Sequence, residues 1–333
     1  MDTPNKPRIA VVGGGSWATA LAKIIMDNHG EFSWFMRNID SIKAFRLLKR
    51  NPRYLCSVDF EVEKIFMSDD INVIIKRSDI IILCVPSAFV KNVMSKVSVS
   101  LKDKLIVSAI KGLVSDDNDT IVDYLSSAFN VTEEQIVALS GPCHAEEIAS
   151  ERLSFLTFAS PSPKVARYAA QLFENSYVRT TITDDIFGVE YAAIMKNIYA
   201  IAAGICHGLR YGDNFQAVLV SNAIQETEHF MNVVLPHARE IKASVYLGDL
   251  LVTCYSQFSR NRTFGTMIGK GYSVKSAQME MLMIAEGYYA VKGIKEICEQ
   301  HMLDLPIVNA VYNILYERIS PVVEIHLLSE VLR

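Results

Sequence analysis

The sequence predicts an α/β fold: an N-terminal domain built on an open, mostly parallel sheet, followed by an all-helical C-terminal domain. Three observations lead there. Short apolar runs such as Ile9–Val12 and Ile80–Val85 alternate with helical patterns in the first half, the signature of an open parallel sheet. A glycine turn, Gly13-Gly14-Gly15, separates the first strand from the first helix. After about residue 184, strand-like runs become rare and long Ala/Ile/Leu/Met/Tyr segments dominate. The expected division is 1–184 and 185–333, with the boundary between Thr180 and Gly188.

The elements follow in order. Ile9–Val12 is a β run ending at Gly13. Ser16–Asn28 places Ala, Leu and Ile at helical spacing, with Gly30 as its stop. Phe32–Met36 reads as the second strand. Ile80–Val85 is a buried parallel strand closed by Pro86, and Leu105–Ala109 and Ile136–Leu139 are two more. Helical patterns fall at Ile39–Leu48 and Ala88–Val97. Residues after about 300, including Leu305-Pro306-Ile307-Val308, pack as helices and carry no identifiable site.

Bulk properties narrow the function. A chain of 333 residues suggests two domains or one large one, and 50% hydrophobic content supplies sizeable cores. The net charge of -4, from 33 basic and 37 acidic residues evenly mixed, argues against a general nucleic-acid or membrane-surface binder. Six scattered cysteines lack CxxC spacing, so no zinc or redox pattern arises and no metal is expected. The segment from Met1 to Arg8 has no apolar signal region and runs directly into a strand. No uncharged apolar stretch reaches the length of about 18 residues that a membrane span needs. The cytoplasm is the expected compartment.

Lys196 and Asn197 lie mid-way along Val189–Ile205, a helical segment apolar on every face. Such a helix is buried on most sides. A buried ammonium must find a partner, lower its pKa or reach a wet cavity. The bland alternative is a lysine that snorkels to the surface. A desolvated lysine is a natural proton donor and acceptor near neutral pH.

Gly13-Gly14-Gly15-Ser16-Trp17-Ala18 fits GxGxxA, the dinucleotide fingerprint of a Rossmann-type domain. Gly13 permits the tight turn, Gly15 lets the backbone approach a pyrophosphate, and Ala18 allows close helix–strand packing. The motif alone is weak; its place between the first strand and a helix strengthens it. An NAD-specific site carries Asp or Glu about 20 residues on. This chain has Phe35-Met36-Arg37-Asn38 instead. Arg37 can pair with a 2′-phosphate and stack on adenine, so NADPH is the expected cofactor, with NADH alongside. The plain alternative is a solvated surface arginine.

Three further segments look unlike structural filler. Ile110-Lys111-Gly112 and Ser140-Gly141-Pro142-Cys143-His144-Ala145-Glu146-Glu147 each follow a strand end, where open α/β sheets place their ligands. Gly248-Asp249-Leu250 precedes Ser259-Arg260-Asn261-Arg262, which offers a hydroxyl, an amide and two guanidiniums in four residues. That set suits a phosphate ester.

Together these residues resemble the NAD(P)-dependent glycerol-3-phosphate dehydrogenases, particularly the bacterial form. The match runs from about residue 8 to about residue 290. It joins Gly13 through Ala22, Ser108 through Gly112, Ser140 through Glu147, Lys196-Asn197, Ala202 through Ile205, Gly212-Asp213-Asn214, Gly248-Asp249-Leu250 and Ser259 through Arg262 in the family's order. The combination is specific, although each piece alone is not.

The resemblance implies an N-terminal Rossmann domain, a helical C-terminal domain and a cleft between them. It implies hydride transfer between NAD(P)H and dihydroxyacetone phosphate, giving sn-glycerol 3-phosphate for phospholipid biosynthesis. It also assigns roles. Lys196 is the proton donor, Lys111 polarises the carbonyl and keeps Lys196 from holding its proton too tightly, and Asp249 accepts from a substrate hydroxyl or orients Lys196. Ser259, Arg260 and Asn261 hold the phosphate, with Asn197 and Thr253 as further substrate contacts and Gly141 and Cys143 on the substrate-side loop. Cofactor contacts fall on Ser16, Trp17, Arg37, Lys111, Ala145, Arg260, Ile284 and Glu286. A homodimer is expected, with no nucleic-acid partner and no stable membrane insertion.

Three departures from the family pattern stand out. Ala18 replaces a third glycine. Cys143 stands where Ser or Thr is common, weakening any hydrogen bond there. Ala192-Ala193-Ile194-Met195 is bulkier than the usual Gly-Gly-Ala-Leu, which bears on substrate clearance. His144 and His207 are read as loop and helix-end residues rather than acid–base groups. Two rival functions remain distinguishable. A β-hydroxyacid or imine reductase of the same architecture does not need the Ser259–Arg262 cluster. A silent dinucleotide sensor has no need of both Lys111 and Lys196.

Overall fold

A computed structural model describes residues 6–114, 118–281 and 283–333. The chain forms two compact units: Met1–Ile110 with Ile121–Ile186, and Lys111–Thr120 with Phe187–Arg333.

The first unit is built on eight strands: β1 (Ile9–Val12), β2 (Phe32–Phe35), β3 (Ile65–Ser68), β4 (Ile80–Leu83), β5 (Leu105–Ser108), β6 (Ile136–Ser140), β7 (Ser154–Ala159) and β8 (Val178–Thr183). Their order is β3-β2-β1-β4-β5-β6-β7-β8. All neighbours are parallel except β6 and β7. Helices α1 (Ser16–His29), α2 (Ile39–Leu48), α3 (Ile71–Lys76), α4 (Val90–Met94), α5 (Ile121–Phe129), α6 (Ala145–Ala149) and α7 (Pro163–Gln171) connect them. β1, β2 and β4 are buried at every position, which is why they read as continuous apolar runs. Trp34, Phe45 and Phe60 pack ring against ring, with centroids 5.1–5.5 Å apart. The strand order reverses direction between β1 and β4, and ligands of open α/β sheets bind at the carboxyl ends flanking such a switch point.

Three strands go beyond the sequence reading. β3 alternates buried and exposed positions, and β8 (Val-Arg-Thr-Thr-Ile-Thr) is an edge strand rich in threonine. β8 lacks the continuous apolar run that marks a central strand, and that of β3, Ile65-Phe66-Met67, is only three residues long. β7 carries Ser, Phe and Thr among its apolar residues and pairs antiparallel with β6, outside the strand–helix alternation.

The second unit is helical among the described residues: α8 (Ile186–Gly208), α9 (Asp213–Val234), α10 (Asp249–Tyr255), α11 (Arg260–Gly269), α12 (Val274–Glu280), α13 (Glu286–Gln300), α14 (Pro306–Leu315) and α15 (Pro321–Val331). By length and composition α8 could cross a membrane, yet 94% of its apolar stretch is buried, which makes it the core helix of this unit. Four glycines fit α8 against α11. A Cβ on Gly204 would lie 2.0 Å from the Arg262 carbonyl oxygen, and one on Gly265 would lie 2.1 Å from that of Ile201. Gly208 and Gly269 repeat the arrangement one turn on, at 2.5 and 2.3 Å from opposing carbonyls. The backbones touch, so α11 has one position along α8.

Candidate active site

The first constellation lies in the sheet unit. Gly13 adopts φ 132°, and a Cβ there would come within 2.2 Å of the Cys84 carbonyl oxygen at the end of β4. Only glycine fits. A Cβ on Gly15 would meet nothing within 4 Å, so a notch is open beside the first turn of α1. Gly15 is the N-cap of α1 and provides no side-chain cap. Main-chain N–H groups and the positive end of the helix dipole therefore stand beside that notch. Ala18 is fully buried, as close helix–sheet packing requires. This cradle fits the pyrophosphate of a dinucleotide.

Two residues outside the sequence-derived set brace the turn. Trp34 Nε1 donates to the Gly13 carbonyl at 2.6 Å. Asn51 Nδ2 donates to the Gly14 carbonyl at 3.1 Å and to Thr19 Oγ1 at 2.8 Å. A lone asparagine 36 positions beyond Gly15 carries no local signal of that role. Arg37 follows β2, and its guanidinium lies over the Phe89 ring, 5.5 Å from the centroid. Phe89 was likewise invisible as a site residue; it stands three positions after Pro86. Gly141, with φ 130°, brings the β6 end to within 2.6 Å of the Phe155 carbonyl measured from its virtual Cβ. Cys143 Sγ turns back to the Gly141 carbonyl at 3.2 Å, and His144 and Ala145 open α6.

The second constellation lies in the helical unit. Lys196 does not snorkel: it is 5% exposed, and its Nζ pairs with Oδ2 of Asp249, itself 1% exposed. Of the three escapes open to a buried ammonium, this chain uses a partner. Asp249 is the first residue of α10 and follows a π-helical turn, Ser244–Gly248. The π turn is a rare device that recurs at functional sites. Thr253, one turn on, donates its hydroxyl to the Asp249 carbonyl at 2.6 Å. Cys254 is wholly buried beside them, and burial pushes its thiol up to about 12 despite nearby Lys196 and Arg262. It stays a neutral thiol at physiological pH.

Ser259 caps α11, accepting the Arg262 N–H at 3.3 Å, so Arg260 and Asn261 form the first turn. The Nε–H of Arg262 is buried without a hydrogen-bond partner among the described residues. Asn197 donates to the Lys111 carbonyl at 3.0 Å, which ties the loop carrying Lys111 to α8. Asn261 donates to Asn197 at 2.8 Å, and the Gly287 N–H donates to Asn261 at 2.9 Å. Glu286 and the first turn of α13 thus adjoin the same cluster. Lys111, Lys196, Asn197, Asp249, Asn261 and Glu286 belong to this unit. Ser16, Trp17, Arg37, Gly141, Cys143 and Ala145 belong to the sheet unit.

A buried lysine–carboxylate pair beside an arginine-bearing helix start can deliver a proton to an oxygen while holding an anion. Comparison with known proteins gives the family. The chain is 32% identical over 317 residues to a glycerol-3-phosphate dehydrogenase [NAD(P)+] of Staphylococcus carnosus, covering 94% of each chain. This chain belongs to the NAD(P)-dependent glycerol-3-phosphate dehydrogenase family. The models of the family's two halves match residues 8–166, as the NAD-dependent glycerol-3-phosphate dehydrogenase N-terminus, and 185–326, as its C-terminus. An Enterococcus faecalis glycerol-3-phosphate dehydrogenase [NAD(P)+] is 33% identical over 313 residues, covering 93% of this chain and 92% of its own. The crystal structure of glycerol-3-phosphate dehydrogenase from Coxiella burnetii superposes with a TM-score of 0.91 at 27% identity, covering 98% and 99%. The Rossmann-plus-helical architecture expected from the glycerol-3-phosphate dehydrogenase resemblance is the architecture found.

Proposed function

We propose that this chain reduces dihydroxyacetone phosphate to sn-glycerol 3-phosphate, the backbone of glycerophospholipids, with NADPH preferred over NADH. The observation that carries the proposal is the buried Lys196–Asp249 pair, set in a chain of this family. The nicotinamide cofactor, when bound, supplies the hydride that a ketone carbon accepts. The rest falls to the protein. The Lys196 ammonium gives the proton to the carbonyl oxygen, and Asp249 aims it and balances its charge. Lys111 polarises the same oxygen. Ser259, Arg260 and Asn261 hold the phosphate, with Thr253, Gly141 and Cys143 as further contact positions. Anchoring a group that does not react fixes the carbonyl and lowers the entropic barrier.

On the cofactor side, Gly13 and Gly15 with Ser16 and Trp17 hold the pyrophosphate. Arg37, stacked on Phe89, receives a 2′-phosphate. Ala145, Arg260, Ile284, Glu286 and Lys111 complete the contacts. Residues 1–184 thereby serve chiefly the cofactor and 185–333 chiefly the substrate, and the protein works as a cytoplasmic homodimer, its oligomeric state checked by sedimentation analysis.

The deciding experiment follows NADPH and NADH oxidation with dihydroxyacetone phosphate and with dihydroxyacetone, in the wild type and in Lys196→Ala. The expected result is turnover strongly favouring the phosphorylated ketone and lost in the variant. Binding of NADPH with no turnover of either ketone would overturn the proposal.

A further inference from the structure

Asn197 and Asn261 share one line of hydrogen bonds inside the helical unit. Asn197 Nδ2 donates to the Lys111 carbonyl at 3.0 Å and to the Ala193 carbonyl at 3.1 Å. Asn261 Nδ2 donates to Asn197 Oδ1 at 2.8 Å. The Gly287 N–H donates to Asn261 Oδ1 at 2.9 Å. Both ends of the line are main-chain groups with fixed roles, since a carbonyl only accepts and a peptide N–H only donates. That pins both side-chain amides: turning either one over sets acceptor against acceptor or donor against donor.

The donor count then separates the two residues. A carboxamide has two N–H donors. Asn197 gives both to carbonyls, so none remains for a phosphate or hydroxyl oxygen. Asn261 gives one and keeps one. Both side chains are buried, so neither amide has bulk water as an alternative partner. The packing agrees with the hydrogen bonds. A Cβ on Gly287 would lie 2.5 Å from the Asn197 carbonyl oxygen, so α13 begins in direct backbone contact with α8 at this residue.

We propose that Asn197 is a positioning residue for the reaction rather than a substrate ligand. It holds the main chain of Lys111 to the turn of α8 that carries Lys196. Through Asn261 it also sets Gly287, and with it Glu286. Four stretches of chain distant in sequence are thereby locked in one register: the Lys111 loop, α8, α11 and α13. The assignment rests on the proposed roles of Lys111 and Lys196, while the relay itself stands on geometry alone.

The test uses the full-length protein carrying Asn197→Ala, with and without Lys111→Ala. Activity with NADPH is measured on dihydroxyacetone phosphate and on dihydroxyacetone. A ligand of the phosphate loses activity only toward the phosphorylated ketone. A residue acting through Lys111 loses the same factor toward both. The expected loss in kcat/KM is about ten- to a hundredfold for each ketone, the range for orphaning buried hydrogen-bond partners. In the Lys111→Ala background the further loss should be under about threefold, because the two residues act as one unit.

Hydrogen exchange on the same proteins, without ligand, provides a readout that needs no turnover. Asn197→Ala should release protection both in the segment from Lys111 to Val114 and at the Gly287 amide. Asn261→Ala, cutting the relay one link later, should release Gly287 and leave the Lys111 segment protected; it also serves if Asn197→Ala does not fold. A loss confined to dihydroxyacetone phosphate, with protection at both places unchanged, overturns the positioning role. Loosened segments in a protein whose wild type turns over neither ketone would sink the proposed activity and leave the relay standing.

Discussion

Asp249 meets the charge of Lys196 where both are nearly inaccessible to water. Removing one member of such a pair leaves a buried charge uncompensated. Asp249→Ala should therefore lose about 3–5 kcal/mol of stability, read in denaturant melts. Asp249→Asn, which keeps the shape and a hydrogen-bond partner, should lose less stability yet still impair turnover, because the amide cannot balance the ammonium. Arg37 permits a cleaner prediction, being displayed on the Phe89 ring rather than buried. Arg37→Ala should weaken NADPH binding by about 1.5–3 kcal/mol, the range for a hydrogen bond to a charged group. NADH binding should barely change. Fluorescence titration of both cofactors checks this, and equal losses for both would remove the 2′-phosphate role. At this scale the sequence was most legible where chemistry and solubility conflict. Lys196 in an apolar helix announces a buried partner, which Asp249 supplies. Asn51 and Phe89 do not, because an asparagine or a phenylalanine in a loop has many ordinary uses and only the fold brings them to the glycine turn and to Arg37.

Helix α8 gathers most of what the helical unit does. Its glycines touch α11, and a methyl group at Gly265 has no room, 2.1 Å from the Ile201 carbonyl. Gly265→Ala should force the helices apart, destabilise by about 1–3 kcal/mol or more as overpacking does, and reduce activity by displacing Asn261. Behind the turn that carries Lys196, Tyr199 of α8 is fully buried near Glu226 of α9. Glu226 accepts the Ile307 N–H at the start of α14 at 2.6 Å. Burial pushes this carboxyl from its ordinary 4.5 up to about 8, against the pull of that hydrogen bond. The folded protein thus holds a proton there that the unfolded chain gives up. The resulting stability is full below about pH 4.5 and is lost as pH rises through about 8. Glu226→Gln keeps an acceptor for Ile307 and has no proton to lose. It should match the wild type near pH 4.5 and exceed it at pH 8.5, by roughly a few kcal/mol, in melts across that range. None of this was readable beforehand, since a glutamate within α9 looks like any solvated charge. The elements themselves were readable where burial is two-sided, as in β1 and β4, and unreadable where it is one-sided, as in β3 and β8.

The molecule as a whole forms two compact units. Because the glycine turn and Arg37 lie in one unit and Lys196 in the other, cofactor binding should survive loss of the proposed proton donor. Lys196→Ala should still be stabilised by NADPH, by about 2.7 kcal/mol at a hundredfold excess over Kd, although turnover is gone. Calorimetry with and without cofactor reads this directly. The change from strand–helix alternation to continuous helix was plain in the sequence, because the hydrophobic period itself changes. The attachment of Lys111–Thr120 to the helical unit was not, because this short segment lies between a strand and a helix of the other unit and only tertiary contact decides its allegiance.

The π turn before α10 carries a consequence for how this chain can change length. A π turn is one residue longer than the α turn it replaces. Ser244–Gly248 winds straight from a non-helical stretch into α10 and so forms the lead-in that brings Asp249 to the start of that helix. Deleting one residue there would keep every side chain of α10 but remove one position, about 100° of helical turn, from the lead-in, so that Asp249 keeps its bearing only if the chain before it is pulled in. Substitutions across Ser244–Gly248 should thus be tolerated far better than a single deletion, and an evolving lineage can vary the letters of this stretch but not their number.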